Sequence, residues 1–179
     1  INVPLRNNVL IVSSDPPSLA GEALTAAEAL SFALAPDPAL TGISPVIVTP
    51  DFLRREQLSR FRSIYCANVP DVPPDALPQL QAYVRDGGGL VWFMGDNVKI
   101  DFYNDVLSGM ELNDEAVPTR VRESLFPVLL ANSHVELSHD DPTITAPDLN
   151  FVPHPIFNDT FRSNNPLIRH VKLDAFLPV

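Results

Sequence analysis

Cations, glycine and cysteine are the scarce components of this chain. Its 179 residues hold 12 lysines and arginines against 22 aspartates and glutamates, a formal net charge of −10. A phosphate backbone is held by clustered Lys and Arg, so this balance argues against nucleic acid as a partner. One cysteine excludes an intrachain disulfide framework and any zinc cluster built on thiolates. Only seven glycines occur, and none forms a G-x-G-x-x-G turn or a G-x-x-x-x-G-K-[ST] loop. The first strand runs instead into Asp15-Pro16-Pro17-Ser18, which offers no glycine turn for a pyrophosphate. G-x-S-x-G and H-E-x-x-H are missing as well, and no apolar run approaches the roughly 20 residues of a membrane helix.

What is present is 45% hydrophobic residues, enough to bury a sizeable core, and 19 prolines, about twice average usage. The length suggests one domain with a core over about 8–131 and a loop-rich extension over 132–179. The chain opens at Ile1 and stops in Ala175-Phe176-Leu177-Pro178-Val179, with no basic n-region, h-region or lipidation signal. The simplest expectation is a segment excised from a longer protein, with other modules and any membrane anchor outside it.

Short β-rich runs alternate with helical periodicity. Asn8–Ser14 reads as a strand, and Ala23, Ala27, Leu30 and Leu34 then mark one face of a helix ending before Pro36. Pro45–Thr49 is a second strand, Arg54–Phe61 a short polar helix, and Ser63–Val69 a third strand. Leu77, Leu80 and Val84 mark a helix with Pro74 and Pro78 near its first turn. Gly87-Gly88-Gly89 releases the chain into a fourth strand, Leu90–Met94, and a helix follows over Ile100–Leu107 with Gly109 as its cap. Continuously apolar strands point to helices on both faces of a parallel sheet, and the strand–helix repetition predicts an α/β, mostly parallel, doubly wound sheet. Phe126–Leu130 and Ile168–Leu173 are two further candidate strands. Between them, Ser138–Asn165 reads as long loops.

Ligands of such sheets bind beyond the carboxyl ends of the strands. Those ends carry Ser14-Asp15, Thr49 to Asp51, Asn68 and Gly95-Asp96-Asn97. Asp15, Asn68, Asp96 and Asn97 are therefore the ligand-binding candidates, carboxylates and amides suited to a cation or a hydroxyl-bearing molecule. The same residue types also end strands simply by capping turns. The remaining polar residues carry less. His139-Asp140-Asp141-Pro142 and Pro153-His154-Pro155 lie in proline-rich loops, no His/carboxylate cluster has metal-site spacing, and Ser133 beside His134 makes no dyad. Phe102, Tyr103, Phe151, Phe157 and Phe161 either build a loop-rich flank or pack the core margin.

Tyr65-Cys66-Ala67-Asn68-Val69-Pro70, the segment Ala82-Tyr83-Val84-Arg85-Asp86-Gly87-Gly88-Gly89-Leu90, and the turn Phe93-Met94-Gly95-Asp96 followed by Phe102-Tyr103-Asn104 together show a likeness. The layout resembles the class I glutamine amidotransferase-like superfamily, in the atypical branch found in bacterial membrane-anchored proteins with aerotolerance-regulator and von Willebrand factor A modules. The resemblance covers about Asn8–Gly109 and implies a flavodoxin-like three-layer sandwich.

An active member carries cysteine on a G-x-C-x-G elbow and a later His-x-Glu pair, with His as base and Glu orienting it. Here the corresponding turn reads Met94-Gly95-Asp96-Asn97-Val98, so by this resemblance Asp96 occupies or adjoins the nucleophile position, where a carboxylate cannot form the thioester. Cys66 falls inside a strand instead, where free cysteine acts as a small hydrophobe. His134-Val135-Glu136 supplies the spacing of the pair, but with four histidines and 22 acidic residues such a spacing arises by chance about half the time.

The expected function is a non-catalytic, amidotransferase-like module that binds a ligand or a protein within a larger membrane-associated protein. It has no catalytic residues, no metal and no cofactor. Its candidate partners are other proteins or other domains of the same chain. The competing reading is a hydrolase or carbohydrate-related enzyme using the crevice of Asp15, Asn68 and Asp96.

Overall fold

Three β-branched or apolar runs and one glycine-led run become four parallel strands in the computed structural model. It describes residues 7–54, 57–112, 118–120, 123–138, 149 and 171–179. The chain divides into two compact units, Ile1–Leu130 and Ala131–Val179.

In the first unit the strands are β1 (Asn7–Ser13), β2 (Ile43–Val48), β3 (Ser63–Ala67) and β4 (Gly89–Phe93), in the spatial order β2-β1-β3-β4. All neighbours are parallel; Val12 pairs with Val48 and Cys66, and Cys66 with Trp92. The order reverses between β1 and β3, which opens a switch point at their carboxyl ends. The chain is an α/β fold with a parallel four-stranded sheet.

Helix α1 (Ala26–Leu34) starts at a capping box. Thr25 Oγ1 accepts from the Glu28 amide at 3.3 Å, and the Glu28 carboxylate accepts from the Thr25 amide at 2.9 Å. That box places the helix start at Ala26 and leaves Ala23 exposed outside it, three residues short of the expected apolar stripe. Ala27 buries against Ile11 and Ala67, with Leu30, Leu34 and Tyr65 packed around them. A one-turn helix, α2 (Pro38–Thr41), is capped by Asp37 and leads into β2.

The opposite face of the sheet carries the larger core. Leu10, Val12, Ile64 and Cys66 of the strands bury with Leu53, Leu58, Phe61, Leu80 and Tyr83. The last two come from α3 (Leu77–Arg85), which follows a single 3-10 turn at Pro74–Ala76. Tyr83, not Val84, is the deep anchor of this helix, and Val84 is exposed. The expected helix over Arg54–Phe61 is instead two 3-10 turns, Pro50–Arg54 and Leu58–Arg60. Their tighter winding turns Leu53, Leu58 and Phe61 into the core.

The helix after β4 also differs from expectation. Phe102–Leu107 is π-helical, closed by Ser108 donating its amide to Tyr103 O at 2.8 Å. Ser108 is its cap, and left-handed Gly109 lies one residue beyond. The wide turn lets Tyr103 bury completely, edge-on to Trp92 and Phe126 at 5.4 and 5.3 Å. Its hydroxyl donates to Val69 O at 2.7 Å. Phe126–Leu130 is not a strand. Its backbone is claimed by this helix: Leu107 O accepts the amides of Leu125 and Phe126, and the Asn104 amide group clasps Leu130 N and O at 2.8 and 2.9 Å. A short antiparallel pair, β5 (Met110–Leu112) with β6 (Pro118–Arg120), completes the unit.

The expectation of helices over both faces fails at the outer strands. On β4, Leu90 and Trp92 pack inward, whereas Val91 and Phe93 remain 37% and 45% exposed. Phe93 stacks on Tyr65, with centroids 6.3 Å apart. On β2, Val46 and Ile47 are similarly exposed.

In the second unit, β7 (Val135–Glu136) pairs antiparallel with β8 (Ala175–Phe176), and Ala131 donates to Pro178 O. Of the proposed strand Ile168–Leu173, residues 171–173 are irregular and the rest lies outside the described residues. So do residues 139–148 and 150–165 of the expected loop region, with His139, His154, Phe151, Phe157 and Phe161.

Candidate functional site

The carboxyl ends of β1, β3 and β4 are joined by side chains. Beyond β3 the backbone turns left-handed at Asn68, with φ +53°, while the Asn68 amide still donates to Phe93 O at 3.0 Å. Asparagine tolerates this conformation better than most residues. The turn directs its carboxamide across the strand ends. Asn68 Nδ2 donates to Asp15 Oδ1 and Oδ2 at 3.3 and 3.4 Å, and Asn68 Oδ1 accepts the Asn97 amide at 3.0 Å. Asn97 Nδ2 closes the triangle on Asp15 Oδ1 at 3.1 Å. Asp15 is itself oriented by its amide bonding Ser13 Oγ at 3.2 Å.

Gly95 is required by this arrangement. A Cβ at that position would stand 2.5 Å from Asn68 Oδ1 and 2.7 Å from its Cγ, far inside contact distance.

Three of the four sequence candidates, Asp15, Asn68 and Asn97, therefore meet. Asp96 does not join them: it is exposed and makes no side-chain hydrogen bond among the described residues. Asp51, at the end of β2, turns away to Arg54 at 3.5 Å, which also meets Asp75 at 3.2 Å. Chemically the triangle is one carboxylate held by two amides. Of its three side chains, the Asp15 carboxylate alone is of a type that serves as base or nucleophile.

Cys66 is the penultimate residue of β3 with no exposed surface, and burial pushes its thiol pKa far up, away from the thiolate needed for attack. Tyr103, also raised chiefly by burial, sits close enough that the two would repel if charged. His134 and Glu136 are exposed and belong to the second unit, Glu136 on β7. Among the described residues no three His, Cys, Asp or Glu side chains gather as a metal site would need. No helix among them is long and apolar enough to cross a membrane.

A cavity of about 310 Å³ opens at the other end of the sheet, where sequence reasoning placed nothing. It lies at the amino ends of β1, β3 and β4, and its lining includes Asn7, Asn8, Arg60, Arg62, Tyr83 and Asp86. The Arg60 guanidinium stacks over Phe61 at 4.9 Å. The Tyr83 hydroxyl donates to Phe61 O at 3.2 Å. Burial raises its pKa, partly opposed by a bond to Gly89 and by the charge of Arg62. The available signal was Arg-x-Arg directly before a strand in a chain with few cations.

No family model, curated protein or solved structure matches this chain.

Proposed function

We propose that the first unit is a non-catalytic, amidotransferase-like module that binds a ligand or a protein, working within a larger membrane-associated protein. The observation that carries this is the position of the chain's one thiol. Cys66 is fully buried between Val12 and Trp92 in the sheet register, one residue short of the strand end. Thioester chemistry needs an exposed thiolate on a strained elbow beside a base. The turn that follows β4 holds Gly95, Asp96 and Asn97 instead.

The strand order β2-β1-β3-β4 agrees with the first four positions of a flavodoxin-like sheet, which supports the three-layer sandwich as the finer reading of the fold. Asp15, Asn68 and Asn97 would then present a prearranged polar surface at the switch point, with Asp96 exposed beside it. Hydrolytic chemistry has less support, because the Asp15 carboxylate is occupied by two amide donors and the Asp96 carboxylate is not bonded to it.

The test is incubation of the protein with glutamine, following ammonia release and comparing wild type with Cys66→Ala. Equal, background-level release from both is expected. Release that depends on Cys66 would overturn the reading.

A further inference from the structure

We propose that the cavity at the amino ends of β1, β3 and β4 binds a small zwitterion of the α-amino-acid type, its carboxylate toward Arg62 and its ammonium toward Asp86. This stands apart from the amidotransferase-like reading, since it concerns the opposite end of the sheet.

The argument starts from charges that share a cavity without meeting. Arg62 and Asp86 both line it, both side chains are exposed, and they form no ion pair with each other. Opposite charges that face one space at more than contact distance are complementary to a ligand carrying both signs.

The rest of the lining agrees in polarity. The Asp86 wall is the carboxyl end of α3, whose partial negative charge adds to the carboxylate and favours a cation there. Gly87 and Gly88 amides are spent on Val84 O and Tyr83 O, so that wall has little to offer an anion. Arg62 brings positive charge to the same lining, with Asn7 and Asn8 as neutral hydrogen-bonding groups.

A purely anionic ligand would meet Asp86 and the helix end, and a purely cationic one would meet the Arg62 guanidinium. The volume lies at the small end of ligand pockets, which suits a molecule of amino-acid size. The net charge of −10 does not decide the matter, because charges beyond about 8 Å are largely screened at physiological salt.

The experiment titrates the full chain with each standard α-amino acid in turn, following amide NMR shifts of Gly87 and Gly88. At least one is expected to give a saturable shift. Binding should weaken about tenfold or more in each of Arg62→Gln and Asp86→Asn, the scale of one charged hydrogen bond lost. The N-acetylated and the carboxamide forms of the same amino acid should weaken comparably. Both substituted side chains are exposed, so the variants keep the fold, which the unperturbed remainder of the spectrum reports. The proposal is overturned if no amino acid gives a saturable shift, or if the variants bind as wild type does. It is also overturned if acetate or phosphate binds as tightly as the zwitterion, which would make this an anion site.

Discussion

Substitution of Gly95 by alanine should change the sign of its effect according to what stands at position 68. In the wild-type background the new methyl would lie 2.5 Å from Asn68 Oδ1, so the Asn68 side chain must leave its place. Leaving breaks its bonds to Asp15 and from the Asn97 amide, two interactions worth roughly 0.5–1.5 kcal/mol each. Gly95 does not sit at positive φ, so alanine itself fits the backbone and returns about 0.4–1 kcal/mol through the unfolded chain. The net expectation is destabilisation by about 1–2 kcal/mol, or a drop of several degrees in Tm at ~2–4 °C per kcal/mol.

In an Asn68→Gly background the obstacle is gone, and the same substitution should stabilise by about 0.4–1 kcal/mol. Urea melts followed by the fluorescence of Trp92, the chain's one tryptophan, measure all four corners of this cycle. Equal effects of Gly95→Ala in both backgrounds would refute the claim that Asn68 fills the space beside Gly95. A neutral effect in the wild-type background would show that the triangle contributes nothing to stability.

Gly88→Ala drives a methyl to 2.3–2.5 Å from the Tyr83 ring, which is pinned through its hydroxyl. A loss of roughly 2–4 kcal/mol is expected in the same urea melts, from overpacking and the strained hydrogen bond together; a loss under about 0.5 kcal/mol would contradict it. Glu28 gives a pH signature. The Thr25 amide first, then Ser18, hold its carboxyl pKa down to about 2 from an ordinary 4.5. A pKa depressed on folding means stabilisation that is complete above the unfolded value and fades as pH falls toward the folded one. Glu28→Gln keeps an acceptor but does not titrate, so the stability gap between wild type and variant should narrow as pH falls from above 4.5 toward 2. A gap that stays constant with pH would refute the assignment.

The parallel sheet was legible because β1 and β3 obey a local rule, apolar runs ended by proline. Of the crevice read as Asp15, Asn68 and Asp96, the first two do meet, since the topology brings the ends of β1, β3 and β4 together, and Asn97 takes the third place. Failures came where non-local bonds decide. Phe126–Leu130 has strand-like composition, yet Asn104 and Leu107 capture its backbone groups, and no period in the sequence reveals that. The π-helical winding at Phe102–Leu107 follows from seating Tyr103 between Trp92 and Phe126, which are distant in the chain. Asp96 and Asn97 are neighbours of equal promise in sequence. Only the turn geometry decides which of them faces Asp15.

The central claim is that Cys66 is a core residue and not a nucleophile. Its most direct measurement is the mass of the folded protein after incubation with an electrophilic glutamine analogue, followed by mapping of any adduct. The account predicts no adduct at Cys66 while the fold is intact, and labelling by a simple thiol reagent once the chain is unfolded in denaturant. A stoichiometric adduct on Cys66 in the folded protein would contradict it.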